Sequence, residues 1–399
     1  MYSLYCRIYQ RLMKIALYLL PWRKPALLEG ENSLDKLPSL IKEKGLQRIL
    51  IVTDRDIPSL GLMDPLLQQL RDEEIHFYIY DQTVPNPTIE NVEEALDMYR
   101  QQHCEGIVAF GGGSPMDCAK GVGARVARPD KLIPKLKGIL KIRKELPPLF
   151  AVPTTAGTGS EATLAAVLSN VETHEKFVLM DHSLIPHYAV LDPLLTVKLP
   201  PHLTAATGMD ALTHAVEAYI GKSNTKETVQ CSKEAVKLIF ENLRRVYEDG
   251  ANIGARTNMQ KASYLAGVAF TRAYVGNVHA IAHTLGGFYS FPHGLANAII
   301  LPYVLEYYGK SAHKPLSELA DLVGVSLPGD TVERKARRFI EAVKQLNQDI
   351  GIPLKVSGIA EEHIPVMAGR ALKEANPLYP VPRIMKRNEM VDLYHTIKE

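Results

Sequence analysis

The first half of the chain alternates short apolar runs with amphipathic helical patterns, and this order constrains the fold more than any other feature. Four runs have the length and β-forming residues of buried strands; they are Arg48–Thr53, His76–Tyr80, Gly106–Phe110 and Leu149–Val152. Helical patterns lie between them at Leu66–Glu74 and Thr88–His103. Since a strand, a helix and a second strand in this order form a right-handed parallel crossover, we predict an α/β domain with a parallel sheet.

The second half of the chain is helical in pattern and shows few convincing strands. It begins after Pro200-Pro201, and the helical stretches predicted there are 206–220, 227–247, 257–274, 277–288, 295–308, 313–323, 331–350 and 361–373. This switch from alternating strands and helices to helices alone separates an α/β domain over 25–195 from an all-helical domain over 196–399. A helical extension over 1–24 is predicted to precede both. A small substrate would normally lie in the cleft between two such domains.

Charge and cysteine content exclude several functional classes. The 399 residues include 46 Lys and Arg against 44 Asp and Glu, and a net charge of +2 leaves no field that would attract nucleic acid. The four cysteines lie far apart without a C-x-x-C pair; they are Cys6, Cys104, Cys118 and Cys231. Neither a disulfide framework nor a zinc ribbon is expected, and a reducing cytoplasm is the expected compartment.

The N-terminal extension reads as a basic amphipathic helix. Its apolar positions follow a period of 3.6 residues; they are Tyr5, Ile8, Tyr9, Leu12, Ile15, Ala16 and Leu19. No signal-peptide cleavage site follows this stretch, and three basic residues interrupt any transmembrane window. We expect the apolar face to pack on the rest of the protein or on a sister subunit, with contact to a membrane surface as the less favoured alternative.

A glycine-rich turn, GGGSPMDCAK, begins at Gly111 directly after the third predicted strand. It predicts a helix with Ser114 as N-cap, Pro115 in the first helical position and Asp117 at the third. Free N–H groups beside residues without side chains suit the pyrophosphate of a dinucleotide. Because Met116 replaces the third glycine of G-x-G-x-x-G, a tight turn without a ligand stays an alternative.

A second turn, PTTAGTGSEAT, begins at Pro153 after the fourth predicted strand. Its hydroxyl groups and flexible backbone suit donors around a cofactor amide or phosphate. Two such turns place their ligand at the carboxyl edge of the sheet, so we expect a dinucleotide there. Asp54 ends the first strand and fits a carboxylate that binds the adenosine ribose and favours NAD over NADP, although an ordinary turn aspartate fits equally well.

The helical half contains two pairs of side chains that can bind a metal. Asp210 and His214 lie four residues apart in a helical pattern, and His279 and His283 repeat this spacing. His293 follows a glycine-containing turn. One carboxylate and several imidazoles in apolar surroundings are the ligands of a Zn²⁺ or Fe²⁺ site. A single pair of this kind is more often structural, but two pairs and a fifth residue favour a metal centre.

Four stretches together resemble the successive signatures of one family. They are GGGSPMDCAK, PTTAGTGSEAT, LPPHLTAATGMDALTHAVEAY and HAIAHTLGGFYSFPHGLANAIILP. In this order they are similar to the motifs of the iron-containing, or group III, alcohol dehydrogenase family, and the likeness extends over roughly residues 25–395. The resemblance implies a Rossmann-like NAD-binding domain, a helical metal-binding domain and a homodimer or higher homo-oligomer.

The resemblance also implies roles for individual residues. The implied metal ligands are Asp210, His214, His279 and His293, with Fe²⁺ as the first expectation and Zn²⁺ as the alternative. The implied NAD(H) contacts are Asp54, Asn86, Gly112, Gly113, Ser114, Thr154, Thr155, Thr158, Thr163 and Lys176. His283 matches a family histidine that lines the site without being a usual ligand, and we expect it to relay the proton.

These residues predict a metal-dependent, NAD(H)-linked dehydrogenase that interconverts a small alcohol with its aldehyde or ketone. One alternative is a dehydroquinate synthase-like lyase, which also uses NAD and a metal, and another is a non-catalytic dinucleotide- or metal-sensing module. The lyase is disfavoured because the metal-binding segments offer a polyanionic substrate only Arg272 nearby. Tyr274 and Asn277 depart from the family pattern, so the resemblance does not fix the substrate.

Overall fold

The computed structural model of the chain describes residues 2–18, 22–172 and 175–399. Its internal contacts divide the chain into two units, each described here by itself. One unit is Trp22–Leu199, and the other is Pro200–Glu399 together with the N-terminal helix.

The first unit is built on a six-stranded sheet in which all neighbouring strands are parallel. The strands of this sheet and of a smaller one are β1 (Ala26–Glu29), β2 (Arg48–Val52), β3 (His76–Tyr80), β4 (Gly106–Gly111), β5 (Gly138–Ile139), β6 (Leu149–Pro153), β7 (Ala165–Asn170), β8 (Glu175–Met180) and β9 (Tyr188–Leu191). The large sheet has the order β1-β9-β6-β4-β2-β3. The predicted fold class is confirmed, and β2, β3, β4 and β6 are the four predicted strands.

The small sheet and both outer strands on one side of the large sheet were not predicted. The small sheet has the order β5-β8-β7, with β7 and β8 antiparallel. Strands β1 and β9 lie side by side at the edge of the large sheet. All of these strands are short or only partly buried, and an apolar run strong enough to predict a strand is therefore missing from them.

The helices of both units follow the predicted pattern with shifted ends. They are α1 (Tyr2–Tyr18), α2 (Leu37–Glu43), α3 (Asp56–Ser59), α4 (Asp64–Asp72), α5 (Ile89–Gln101), α6 (Gly113–Ala127), α7 (Pro201–Ile220), α8 (Lys226–Glu248), α9 (Ile253–Ala273), α10 (Asn277–Tyr289), α11 (His293–Tyr308), α12 (His313–Leu322), α13 (Val332–Asp349), α14 (Ile364–Ala375) and α15 (Arg387–Ile397). The sequence did not predict α15 or the short α2 and α3.

Strand β2 shows how the sheet buries both of its faces. Leu50 and Val52 belong to one apolar core, which α5 and α6 cover, while Ile49 and Ile51 belong to a second core, which α2 and α4 cover. Alternate side chains of a strand point to opposite faces, and a parallel sheet is normally covered on both. The faces are therefore filled, and the turns at the carboxyl ends of β4 and β6 are where a ligand can bind.

Helix α7 is the buried central helix of the second unit. Every residue from Gly208 to Ile220 is buried, and the helix packs against α8, α9 and α11. Gly208 allows the close approach of α8, because a Cβ atom there would lie 2.4 Å from Leu243 Cδ1. A helix that is apolar on all sides belongs in a core. The polar side chains within α7 consequently need partners inside the protein.

Helix α1 is present as predicted, but most of its predicted apolar face is exposed. At least half exposed are Tyr5, Ile8, Leu12 and Ile15. Cys6 and Gln10 are buried instead, and Leu19 lies outside the described residues. The prediction that this face packs on the rest of the protein is therefore wrong. Contact of the face with a sister subunit stays a prediction. Within the described ranges, no helix combines the length and the hydropathy that a membrane span requires.

Candidate metal centre and dinucleotide site

Three of the predicted metal ligands converge from three helices of the second unit. Asp210 lies in the middle of α7, His279 in the first turn of α10 and His293 at the start of α11. Their ligand atoms all lie within 4.8 Å of one another, and His293 Nε2 is 3.7 Å from Asp210 Oδ1. A carboxylate and two imidazoles at this spacing fit a divalent transition-metal ion.

His214, the fourth predicted ligand, lies beside this group without belonging to the set within 4.8 Å. It follows Asp210 by one helical turn, and its ring centroid is 4.4 Å from that of His279. Its ring also stacks on Phe270, with centroids 4.2 Å apart and planes inclined by 13°. The stacking fixes the plane of the imidazole next to the three converging residues.

The acceptor atoms of the group point to one place, and the side chain of Asn297 identifies that place. Asn297 Nδ2 lies 2.7 Å from Asp210 Oδ1, 3.1 Å from His279 Nε2 and 3.2 Å from His293 Nε2. An amide nitrogen can only donate, so an Nε2 atom that pairs with it is unprotonated, which is also the form that binds a metal. The amide has two hydrogens for the three nearby atoms, so it does not donate to all of them at once. A cation bound there would satisfy the same three acceptors, so the residues present fit the ion that the donor set predicts.

Glu217 fixes the orientation of His279, and the sequence analysis did not identify it. Its buried carboxylate accepts hydrogen bonds from His279 Nδ1 at 2.7 Å and from the backbone N–H groups of Gly276 at 2.7 Å and Val278 at 2.9 Å. Burial raises the pKa of Glu217 to about 7, and the backbone donors oppose this rise. With the proton of the imidazole held on Nδ1, Nε2 is left to act as the ligand atom.

Spacing could have identified Glu217. It lies three residues after His214 and seven after Asp210, which places all three on one face of α7. Burial, followed by the neighbouring imidazoles, holds the pKa of His279 well below its ordinary value, so the ring is neutral at pH 7.

His283 lies one turn after His279 and has a carboxylate partner of its own. Its Nδ1 is 2.6 Å from Glu374 Oε1, and the hydroxyl of Tyr379 donates to the same oxygen at 2.8 Å. The His283 ring stacks on that of His293, with centroids 5.1 Å apart. No sequence signal pointed to Glu374, because it lies 91 residues from His283 on another helix.

In the first unit, the glycine-rich turn begins its helix two residues earlier than predicted. Helix α6 starts at Gly113 with Gly112 as N-cap, so the prediction of Ser114 as N-cap is wrong. Ser114 Oγ instead accepts a hydrogen bond from the backbone N–H of Asn86 at 3.3 Å. Asn86 Oδ1 in turn accepts one from Lys176 Nζ at 2.6 Å. Three predicted cofactor contacts are thus joined in one chain of hydrogen bonds.

The two predicted turns lie directly against each other. The backbone N–H of Thr154 donates to Gly111 O at 3.0 Å. A Cβ atom on Gly113 would lie 2.8 Å from Thr158 Cγ2, and one on Gly112 would lie 3.4 Å from Thr155 Cγ2. The absence of a side chain on Gly113 is therefore what allows the second turn to approach the start of α6, whereas the distance at Gly112 is an ordinary contact.

Asp54 lies beside the glycine-rich turn and also has a local structural role. A Cβ atom on Gly111 would lie 3.6 Å from Asp54 Oδ2. Asp54 Oδ1 accepts hydrogen bonds from the backbone N–H groups of Asp56 and Ile57, both at 3.1 Å, at the start of α3. Burial raises the pKa of Asp54. The observed bonds are those of a turn aspartate, and the position is the one expected of a ribose ligand.

A buried cation, Lys120, fastens the second turn to α6. Its Nζ donates to oxygen atoms of three residues of the turn and the following strand, at 2.7 to 3.0 Å; they are Ser160, Thr163 and Ala165. Burial lowers the pKa of Lys120 to about 8, so the amine is charged at pH 7. Asp117, three residues earlier, accepts hydrogen bonds from Ser160 Oγ at 2.9 Å and Val167 N at 3.0 Å. The hydroxyl of Thr163 is therefore engaged by Lys120.

Replacing Lys120 with Met should loosen the second turn. The substitution leaves buried carbonyl oxygens and the Asp117 carboxylate without their cation, which costs about 3–5 kcal/mol of the free energy of unfolding. Urea denaturation measures this loss, and titration with NADH should show weaker binding. Lys36→Met, at an exposed lysine, is the matched control and should change neither quantity. A Lys120→Met protein of normal stability and NADH affinity would contradict this role.

Gly294→Ala should separate His293 from Asp210. A Cβ atom on Gly294 would lie 2.5 Å from the backbone oxygen of Ala206 and 3.3 Å from Asp210 Cβ, so α11 must move away from α7. We expect the affinity for Zn²⁺, measured by competition with a chelator, to fall about 10- to 100-fold. The control is Gly369→Ala in α14, where a Cβ atom meets nothing within 4 Å. Equal metal affinity in the two variants would show that the close approach is not required.

Comparison with known proteins matches both halves of the chain to one family. The family model described as iron-containing alcohol dehydrogenase matches residues 25–193. The model described as Fe-containing alcohol dehydrogenase family, C-terminal, matches residues 204–398. The matched ranges include every residue predicted to bind the metal or the dinucleotide.

Similar proteins cover nearly the full chain. The 1,3-propanediol dehydrogenase of Citrobacter freundii is 41% identical over 369 residues, which is 92% of this chain and 95% of that protein. Alcohol dehydrogenase 4 of Saccharomyces cerevisiae is 40% identical over 88% of this chain and 91% of its own length. Lactaldehyde reductase of Escherichia coli is 36% identical over 92% and 96%.

Solved structures agree with these matches. The crystal structure of a 1,3-propanediol oxidoreductase superposes with a TM-score of 0.90 at 39% identity and covers 95% of this chain and 100% of its own. An alcohol dehydrogenase from Oenococcus oeni gives a TM-score of 0.90 at 37% identity, over 94% and 100%. The matches support a dehydrogenase and not the lyase. The chain belongs to the iron-containing alcohol dehydrogenase family, whose members are NAD(H)- and Fe²⁺-dependent oxidoreductases.

Proposed function

We propose that this chain reversibly oxidises a short-chain alcohol or diol to the aldehyde or ketone, with a divalent metal held by Asp210, His214, His279 and His293. The observation that carries the proposal is the convergence of three acceptor atoms on one point between α7, α10 and α11. When bound, the metal polarises the substrate oxygen and NAD(H) accepts or supplies the hydride. Fe²⁺ is the proposed ion, and Zn²⁺ fits the same ligand set.

The size of the proposed substrate follows from the relatives and from the burial of the site. Two similar proteins are named for three-carbon compounds with two oxygen functions, 1,3-propanediol and lactaldehyde. Asp210 and His279 are almost fully buried, and the His293 side chain is 29% exposed. The partial exposure of His293 makes its side the proposed route of entry for a small substrate. Tyr274 and Asn277 are the proposed specificity residues.

We assign the proton transfer to His283. Its Nδ1 is held by Glu374, and this leaves Nε2 as the atom that takes a proton from the alcohol or returns it to the carbonyl. A carboxylate on Nδ1 fixes the ring orientation and stabilises the protonated imidazole. The stacking of His283 on His293 keeps it next to the proposed ligands.

The dinucleotide is assigned to the two turns of the first unit. The N-terminus of α6, at Gly112, Gly113 and Ser114, would bind the pyrophosphate through backbone N–H groups. The remaining proposed contacts are Asp54, Asn86, Thr154, Thr155, Thr158 and Lys176. Thr163 is reassigned to holding the second turn, since its hydroxyl binds Lys120. In this proposal 25–195 is the NAD-binding domain and 196–399 the metal- and substrate-binding domain.

We also propose a cytoplasmic homodimer. Its support is the exposed edge strand β1, whose outer backbone groups are those that pair with another chain in many sheets. All four cysteines are free and buried, as suits a reducing compartment.

The first test is turnover by the metal-loaded protein. Anaerobic protein loaded with Fe²⁺ should oxidise NADH in the presence of C2 to C4 aldehydes and ketones, and protein stripped with EDTA should not. His279→Ala should lose both the bound metal and turnover, because it removes a ligand and the partner of Glu217. His202→Ala, at an exposed histidine on the same helix as Asp210, is the control and should retain both. Full turnover by metal-free protein would rule out the proposed mechanism.

His283→Ala should separate proton transfer from metal binding. We expect kcat to fall about 100-fold or more, because a positioned acid–base residue contributes at least that factor. Metal content and the KM for NADH should match those of the unsubstituted protein. Steady-state kinetics and metal analysis measure all three. A wild-type kcat in His283→Ala would place the proton transfer elsewhere.

A further inference from the structure

Helix α1 is bound to the second unit by side chains of its polar face. Arg7 donates to Val381 O at 2.7 Å and to Pro382 O at 3.0 Å. Gln10 donates to Tyr379 O at 2.7 Å and to Pro377 O at 3.1 Å. Gln10 is buried, and Arg7 also donates to its side-chain oxygen at 2.9 Å. Two side chains of α1 therefore bind four backbone carbonyl groups of one short segment, residues 377–382.

The segment 377–382 has few ways to satisfy its own backbone. It is irregular and lies between α14 and α15. Three of its six residues are prolines, at 377, 380 and 382, and proline has no N–H group to offer a hydrogen bond. Backbone N–H groups of Val381 and Lys222 donate to Tyr379 O and Pro380 O. Buried carbonyl groups need donors, and α1 supplies those of residues 377, 381 and 382 and a second one at 379. The conformation of 377–382 therefore depends in part on Arg7 and Gln10.

The same segment carries a side chain that reaches the proposed proton relay. Tyr379 is buried, and its hydroxyl donates to Glu374 Oε1 at 2.8 Å. That oxygen is also the partner of His283 Nδ1 at 2.6 Å. A displacement of the Tyr379 backbone would therefore change the hydrogen bonding of the carboxylate that orients His283.

The loop that precedes α10 contains a strained residue, Tyr274. Burial raises the pKa of its phenol, and the phenol of Tyr9 on α1 adds to this rise. Tyr274 has φ 65° and ψ 175°, a conformation that is otherwise almost confined to glycine. Such a conformation persists only where the surrounding structure enforces it. This strained residue lies five positions before His279.

We infer that α1 is a positioning element of the active site, in which Arg7 and Gln10 act through Tyr379 and Glu374 on the orientation of His283. The inference rests on the proposed role of His283. The residues of α1 on which this inference rests lie on its polar face. The two residues touch neither substrate nor cofactor in this assignment, and they are positioning residues, not catalytic ones.

The variants for the test keep the helix and remove the donors. They are Arg7→Met combined with Gln10→Leu, which remove the donors and keep helix propensity. Arg11→Met on the exposed side of the same helix is the matched control. Arg7→Lys retains a donor group at this position and should retain part of the kcat that Arg7→Met loses.

The kinetic test is a double-mutant cycle between α1 and His283. The paired Arg7→Met and Gln10→Leu substitutions should lower kcat between about 10- and 100-fold, as misplacement of a catalytic group does. The KM for NADH and the metal content should not change. In the His283→Ala background, the same pair should change kcat less than about twofold, because the group on which it acts is gone. Equal effects in both backgrounds, or no effect on kcat in the unsubstituted background, would overturn the inference.

Hydrogen exchange tests the contact without any turnover. The N–H of Tyr379 donates to Ala375 O and that of Val381 to Tyr379 O. Mass spectrometry of the peptide that contains both should show faster exchange in the paired variant than in Arg11→Met. Identical exchange in the two would overturn the inference. Absence of NADH oxidation by the unsubstituted protein would instead contradict the proposed function, so the two failures are distinguishable.

Discussion

The arrangement of the metal centre depends on one buried carboxylate, that of Glu217. It joins α7 to the first turn of α10 through two backbone N–H groups and to His279 through Nδ1. A helix N-terminus has unpaired N–H groups that stabilise a negative charge, and this is the environment that allows a carboxylate in an otherwise apolar interior. Without it, two backbone donors would be buried unsatisfied and His279 would be free to rotate. The glycine at 276 belongs to the same device, since any side chain there would occupy the position of the carboxylate.

The proposed dinucleotide site is organised by a charge of the opposite sign. Lys120 reaches five oxygen atoms, and Asp117 reaches a hydroxyl and a backbone N–H of the same region. In each half of the chain, a charged side chain of a buried helix binds a turn through hydrogen bonds: Glu217 binds the turn before α10, and Lys120 binds the second turn. Buried charged groups are costly unless every hydrogen-bond partner is present. The turns that they bind contain glycines and short hydroxyl side chains, which leave the backbone and hydroxyl groups within reach of the charge.

Sequence patterns predicted what local rules determine. The strands β2, β3, β4 and β6 are apolar runs in a regular alternation, and the i, i+4 spacing of Asp210 and His214 marks one face of a helix. The same helical spacing could have identified Glu217. Glu374 and Tyr379 were not, because their approach to His283 depends on the packing of helices far apart in the chain. The start of α6 was placed two residues late, because Ser114 does not cap the helix and its hydroxyl instead accepts a hydrogen bond from the backbone of Asn86. The apolar face of α1 was assigned to burial by its period alone, whereas polar contacts decide which face is turned inward.

The hydrogen bonds of Asn297 have a consequence for the packing of the helical unit. Its Nδ2 atom, on α11, lies within 3.2 Å of Asp210 on α7, His279 on α10 and His293 on α11 itself. One buried amide therefore joins three helices at the point where the candidate ligands meet. The spacing of these helices at that point depends on a side chain that the sequence patterns did not single out.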